Sequence, residues 1–237
     1  MNEDEIIDVL DIVIIVNCII TDCWSVSTVT DFDGNVYNTV IIGDQEWMAE
    51  NLKVTHYRNG DEIPNITNNS EWSSLSTGAY GIYNNDPTNT EVYGNLYNWY
   101  AVDDTRGVCP EGFHAPSDEE WMELEMTLGM SYEEAITEGY RGTDEGSQLA
   151  GNVDLWDSGA LESNSEFGAS GFLALPGGSR YDYNGYSYSM GNYCYFWSST
   201  AISSGSAWCR FVGYNGSGVG RYSAYLRVGF SVRCIGD

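Results

Sequence analysis

Apolar positions change their period along this chain. Up to residue 24, Ile6, Ile7, Leu10, Val13, Ile14 and Cys18 recur at three- and four-residue spacing, which predicts one amphipathic helix. From Ser27 the period shortens to two. Thr28-Val29-Thr30 and Val36–Ile42 alternate on either side of an Asp-Gly turn, which predicts hairpin-linked strands. The turn Asp31-Phe32-Asp33-Gly34-Asn35 is not read as a calcium loop, because Ile42 stands where such a loop needs a bidentate Glu. Helix signals cluster in the middle. Ser117-Asp118-Glu119-Glu120 and Ser131-Tyr132-Glu133-Glu134 are capping boxes, and Tyr93–Val102 predicts a further helix rich in aromatics. Beyond Gly142 the pattern is that of loops, with strands expected again at Phe172. The chain thus divides into a helical extension over 1–26 and an α+β domain over 27–237.

The tail has a different character. From Gly177 to Cys234, a frame of Trp, Arg and Gly surrounds a run of Tyr, Ser, Gly, Asn and Cys. Tyr supplies large, fairly rigid amphipathic contacts, and Ser, Gly and Asn supply adaptable hydrogen bonds, which is the mixture of a binding surface. Alternation in Arg210–Tyr214 and Arg221–Arg227 predicts that every other residue lines one sheet face.

Composition narrows the partners. Nine basic residues against 35 acidic ones leave a formal charge of -26, opposite to what phosphate backbones and anionic headgroups attract. Nucleic acid is excluded as a partner on that ground. The longest apolar run, Val9–Ile20, is interrupted by Asp11 and Asn17 and is too short and polar to span a bilayer, so no membrane insertion is expected. The six cysteines include no C-x-x-C pair, and disulfides in an extracellular protein are their expected use. No nucleophile elbow or phosphate-cradling glycine loop occurs, so the chain is read as a non-enzyme.

Several ordered blocks resemble one family: Asn35-Val36-Tyr37, Ile42–Leu52, Tyr93–Trp99, Cys109–Ser117, Trp197-Ser198-Ser199-Thr200 and Gly229–Cys234. Together they are similar to the Fibrobacter succinogenes major paralogous domain across residues 27–237. That resemblance implies a C-type lectin-like fold of the formylglycine-generating-enzyme type: a twisted antiparallel sheet, two main helices and long loops. It also implies a disulfide between Cys109 and Cys234, which occur in two of the blocks. Pairings Cys18–Cys23 and Cys194–Cys209 are alternatives for the remaining cysteines.

Proteins of this fold include the variable proteins of diversity-generating retroelements, with archaeal and viral members. Their C-terminal region is rewritten by randomising template adenines, so former Asn-type codons end in a pyrimidine and exclude Lys, Glu, Gln, Met and Trp. Between Cys209 and Leu226 none of those five occurs. The resemblance therefore implies a variable region at about 190–228, with ligand-binding positions Tyr193, Tyr195, Ile202, Ser203, Phe211, Gly213, Tyr214, Asn215, Ser217, Val219, Tyr222, Ser223 and Tyr225. Cys194 and Cys209 fall within it. The implied ligand is a protein or a cell-surface glycan, met outside the cell, at a cell surface or on a virion. A fixed-sequence adhesive or structural envelope module is the alternative, and a calcium-dependent lectin is a third, without its Glu-Pro-Asn or Gln-Pro-Asp motif. No cofactor is expected apart from calcium at the N-terminus. There Asn2–Val13 resembles half of a dockerin repeat, with Asp4, Asp8 and Asp11 as an incomplete ligand set and Glu5 in place of the turn glycine.

Overall fold

The computed structural model describes residues 27–237. The expected N-terminal helix, the Cys18–Cys23 pairing and the calcium candidates Asp4, Asp8 and Asp11 lie outside the described residues. The described chain is a mixed α+β domain dominated by antiparallel pairing. Its strands are β1 (Thr28–Thr30), β2 (Val36–Ile42), β3 (Gln45–Met48), β4 (Tyr80–Gly81), β5 (Leu96–Tyr97), β6 (Phe113–His114), β7 (Gly139–Arg141), β8 (Ser179–Arg180), β9 (Ser187–Tyr188), β10 (Tyr193–Ser203), β11 (Ser206–Gly213), β12 (Val219–Tyr225) and β13 (Ile235–Gly236). One sheet has the order β1-β2-β3-β13-β6, and a second has the order β10-β11-β12-β7.

The first hairpin forms as its sequence predicts. Asp31 Oδ1 accepts from the backbone N–H groups of Asp33 and Asn35 at 2.9 and 3.0 Å, and Gly34 takes the positive φ of 85° that the turn requires. The other Asp31 oxygen accepts from the Tyr37 hydroxyl at 2.6 Å, which anchors the turn to the core. At the far end of the chain, β13 slides between β3 and β6, with Ile235 opposite both Trp47 and His114. The Cys109–Cys234 disulfide closes the same junction across 125 residues of sequence.

Between the two sheets, Trp47, Trp121, Phe172 and Phe196 pack ring against ring at 4.9–5.8 Å. Arg233 is buried beside them. It donates to the Asn51 side chain at 2.6 Å and to the carbonyls of Met48, Phe172 and Leu173, and its guanidinium lies 4.6 Å from the Phe172 ring. A buried cation whose three nitrogens all donate to carbonyl oxygens is tolerated where a bare one is not.

Both capping boxes are present, yet only one starts a long helix. Ser117 and Glu120 cap Asp118–Thr127, whereas Ser131 and Glu134 cap only Tyr132–Ala135, because the chain must turn into β7 within a few residues. The two main helices implied by the family resemblance are therefore one ten-residue helix and several shorter ones. The helix expected over Tyr93–Val102 is broken. A helix Thr88–Tyr93 stops at Gly94, with φ at 73°, and Leu96–Tyr97 becomes β5 before Trp99–Val102 resumes as a helix. At Gly94 a Cβ would meet Leu52 O at 2.7 Å, and Tyr97 exchanges backbone hydrogen bonds with Phe230. Long-range pairing overrides local helix propensity here. Nor does a strand resume at Phe172, which plugs the core from an irregular segment; the next strand is Ser179–Arg180.

Candidate functional site

The β10-β11-β12-β7 sheet presents two unlike faces. Its register sets Tyr195 opposite Phe211, Phe211 opposite Gly220 and Gly220 opposite Tyr140, so these four positions share one face. Strand alternation adds Tyr193, Gly213 and Tyr222 to that face and puts Cys194, Arg210, Val212, Val219, Arg221 and Arg141 on the other.

The second face is buried and ionic. Arg210 donates to Asp118 at 2.7 Å and to Glu125 at 2.7 Å; Arg221 donates to Asp118 at 2.6 Å and Arg141 to Glu125 at 2.5 Å. Asp118 and Glu125 lie on the helix Asp118–Thr127, so the network fastens that helix to three strands. Burial pushes the Asp118 carboxyl up, but the bonds and charges of Arg221 and Arg210 outweigh it and hold the group below its ordinary value. The network also fixes where β11 and β12 sit relative to the core.

The first face is aromatic and partly open. Around Phe211, ring centroids lie at 5.8 Å for Tyr193, 5.8 Å for Tyr195, 5.5 Å for Tyr222 and 6.2 Å for Tyr140. Glycines make room for these rings. At Gly220 a Cβ would stand 2.2 Å from the Phe211 ring, and at Gly213 one would stand 2.4 Å from the Tyr193 ring. Tyr193, Tyr195 and Phe211 are half-buried, while Tyr140 and Tyr222 are exposed. The core covers this face only toward its other end, at Trp197, Ala207 and Cys209, where Trp99 donates to Ser198 O at 2.9 Å.

The model of the Fibrobacter succinogenes major domain matches residues 40–236, a span that includes the whole β10-β11-β12-β7 sheet, β3, β6 and β13 of the other sheet, and the disulfide. The chain belongs to this family. No curated protein and no solved structure matches it. Among the described residues of this major domain, no helix is long and apolar enough to cross a membrane.

Within the domain the sequence-predicted site residues separate into groups. Tyr193, Tyr195, Phe211 and Tyr222 come together on the aromatic face, with Gly213 beneath Tyr193. Tyr214 borders it edge-on to Tyr193 at 6.2 Å. Ile202, Ser203 and Tyr225 are exposed at the far end of the sheet, where Ser206 pairs with both Ser203 and Tyr225. Ser223 is exposed but belongs to the opposite face, paired with Trp208. Asn215 is exposed on the β11–β12 turn, whereas Ser217 is a clasp: its hydroxyl donates to Thr143 O and its carbonyl accepts from Ser147 N. Val219 is not a surface position. It is buried in the core, because alternation turns it toward Trp121 and Phe196.

The Cys194–Cys209 pairing does not form. Both are buried free thiols, and their positions in the β10–β11 register, Cys194 opposite Val212 and Cys209 opposite Trp197, put them on opposite faces of the sheet. Burial pushes each thiol up to about 12, which leaves them unreactive.

Sequence reasoning missed several residues that adjoin the aromatic face. Tyr140 comes from β7, Phe230 stacks on Tyr195 at 4.9 Å and an interplanar angle of 9°, and the β8–β9 hairpin contributes Tyr181, Tyr183 and Tyr188. A signal was present. Tyr181–Tyr188 alternates Tyr with small polar residues in the same mixture that marked residues 190–228.

Proposed function

We propose that this domain is an extracellular ligand-binding module of the C-type lectin-like type, in which the open aromatic face of the four-stranded sheet meets a protein or cell-surface glycan. The observation that carries the reading is the Phe211-centred ring cluster, held half in water on a sheet whose other face is locked to a helix. Clustered exposed aromatics mark interaction sites, and rings already packed on one another lose little freedom when a ligand arrives. The lectin-like assignment is supported by the terminal strand β13 lying in the sheet that opens the domain, and by the disulfide beside it. A disulfide also suits an oxidising, extracellular setting.

The same division favours a diversified surface. Side chains at Tyr193, Tyr195, Phe211 and Tyr222 can change without touching the Arg210–Asp118–Arg221 frame, since alternation puts the two sets on opposite faces. Sequencing the last sixty codons in a natural population, with their flanking DNA, tests this. Substitutions are expected at the four aromatic positions and at Ile202, Ser203 and Tyr225, with Arg210, Val219 and Arg221 fixed and a reverse-transcriptase gene nearby. An invariant tail would replace this reading with a fixed-sequence adhesive module.

A further inference from the structure

Where the β8–β9 hairpin approaches the aromatic face there is a cleft of about 250 Å³. One wall is Tyr181, which packs on Tyr188 at 4.5 Å and on Tyr183 at 5.7 Å; the other is Tyr195 stacked on Phe230. Two polar residues also line it, Asp182 and Ser179. Ser179 is 1% exposed and its hydroxyl has no hydrogen-bond partner. Buried hydroxyls are nearly always bonded, so an unpaired one just beneath the cleft leaves a hydrogen bond that a ligand seated there can complete after a small shift.

We infer that this cleft binds one uncharged pyranose ring of a glycan. The inference rests on the reading of the aromatic surface as a binding face and narrows it to a ligand class. Drug-sized ligands occupy pockets of about 300–1,000 Å³, so this cleft suits a single ring. A pyranose has apolar C–H faces and a rim of hydroxyls. Its faces match the walls formed by Tyr181 and Tyr195, and its hydroxyls can donate to Asp182 and exchange a hydrogen bond with Ser179, which has one donor and two acceptor sites. Charge selects further. A formal charge of -26, with Asp182 in the cleft itself, disfavours sialylated, sulfated or uronic sugars. Recognition of this kind uses stacking and hydrogen bonds and does not need a bridging cation.

The full chain is to be applied to an array of neutral, sialylated and sulfated oligosaccharides, and the best neutral binder titrated by calorimetry with and without EDTA. Binding confined to neutral sugars and insensitive to EDTA is expected. Tyr183→Ala, at an exposed ring, should weaken it at least tenfold. Ser179→Ala should weaken it several-fold while leaving the thermal midpoint equal or higher, because an unpaired buried hydroxyl is removed. Tyr132→Ala, at an exposed ring on the helix Tyr132–Ala135 that lines neither the cleft nor the aromatic face, should change it less than twofold. Absence of any neutral binder, preference for anionic sugars, abolition by EDTA, or an equal loss in Tyr132→Ala would each overturn the pyranose assignment. None of these decides whether the aromatic face varies, which the population sequences report independently.

Discussion

On one face of the β10-β11-β12-β7 sheet, three arginines and two carboxylates are buried; on the other, Tyr140, Tyr193, Tyr195, Phe211 and Tyr222 keep part of their rings in water. This reverses the usual allocation of charged groups to solvent and aromatics to the interior. The difference separates two tasks within one four-stranded sheet. Charged pairs on the covered side fix the position of β7, β11 and β12 through directional bonds, and the open side carries rings that make no part of that network. Burying Arg141, Arg210 and Arg221 also withdraws cations from a strongly acidic protein's surface.

The largest effect should come from the covered face. In Glu125→Ala the guanidinium groups of Arg141 and Arg210 each lose a carboxylate in a dry setting, and a loss of about 3–5 kcal/mol in urea unfolding is expected. A loss below about 1 kcal/mol, typical of surface pairs, would mean that water reaches the network and that the two faces are less different than described.

An intermediate effect tests the open face. Gly220→Ala introduces a Cβ 2.2 Å from the Phe211 ring, which must tilt and carry its neighbours with it. Overpacking of about 1–3 kcal/mol is expected, together with altered near-ultraviolet circular dichroism from the displaced rings. Unchanged stability and an unchanged spectrum would show that Phe211 is not held over the glycine.

The smallest effect is pH dependence near neutrality, to which the covered face should contribute nothing. Asp118 is held below its ordinary value of 3.8, so its contribution is complete above that value and falls only as pH drops through the lowered folded one. His114, outside this sheet, behaves oppositely. Burial opposes its protonation, but hydrogen bonds to Asp237 at 2.7 Å and Glu120 at 2.8 Å outweigh that and raise it above 6.5. Its contribution is therefore complete below about 6.5 and is lost as pH rises through the raised value. Thermal midpoints from pH 5.5 to 9 should show a shallow alkaline decline that His114→Gln flattens. A decline that persists in the variant would assign it to another group.

Much of the architecture was legible where local chemistry decides it. The Asp-Gly hairpin, both capping boxes and the two-residue period of the tail could be read directly, because each depends on residues a few positions apart. The helix expected over Tyr93–Val102 could not, since Gly94 and β5 answer to Leu52 and Phe230, which lie far away in sequence. The candidate site divided the same way. Tyr193, Tyr195, Phe211 and Tyr222, candidates that the family resemblance implied, share one face, but Val219 and Ser217, candidates on the same ground, are a core residue and a loop clasp.

The sequence by itself determined the α+β character, the acidic charge that disfavours polyanions, the family and the concentration of Tyr, Ser, Gly and Asn in the tail, all properties of composition and short-range pattern. Only the tertiary structure decided which face of the tail is open. Alternation assigns residues to two faces but does not say which one meets a helix; Asp118 and Glu125 decide that by pairing with Arg210, Arg221 and Arg141 from up to 103 residues away. The cleft at Tyr181 and Tyr195 is likewise tertiary, because its two walls come from separate hairpins that meet only in the folded chain.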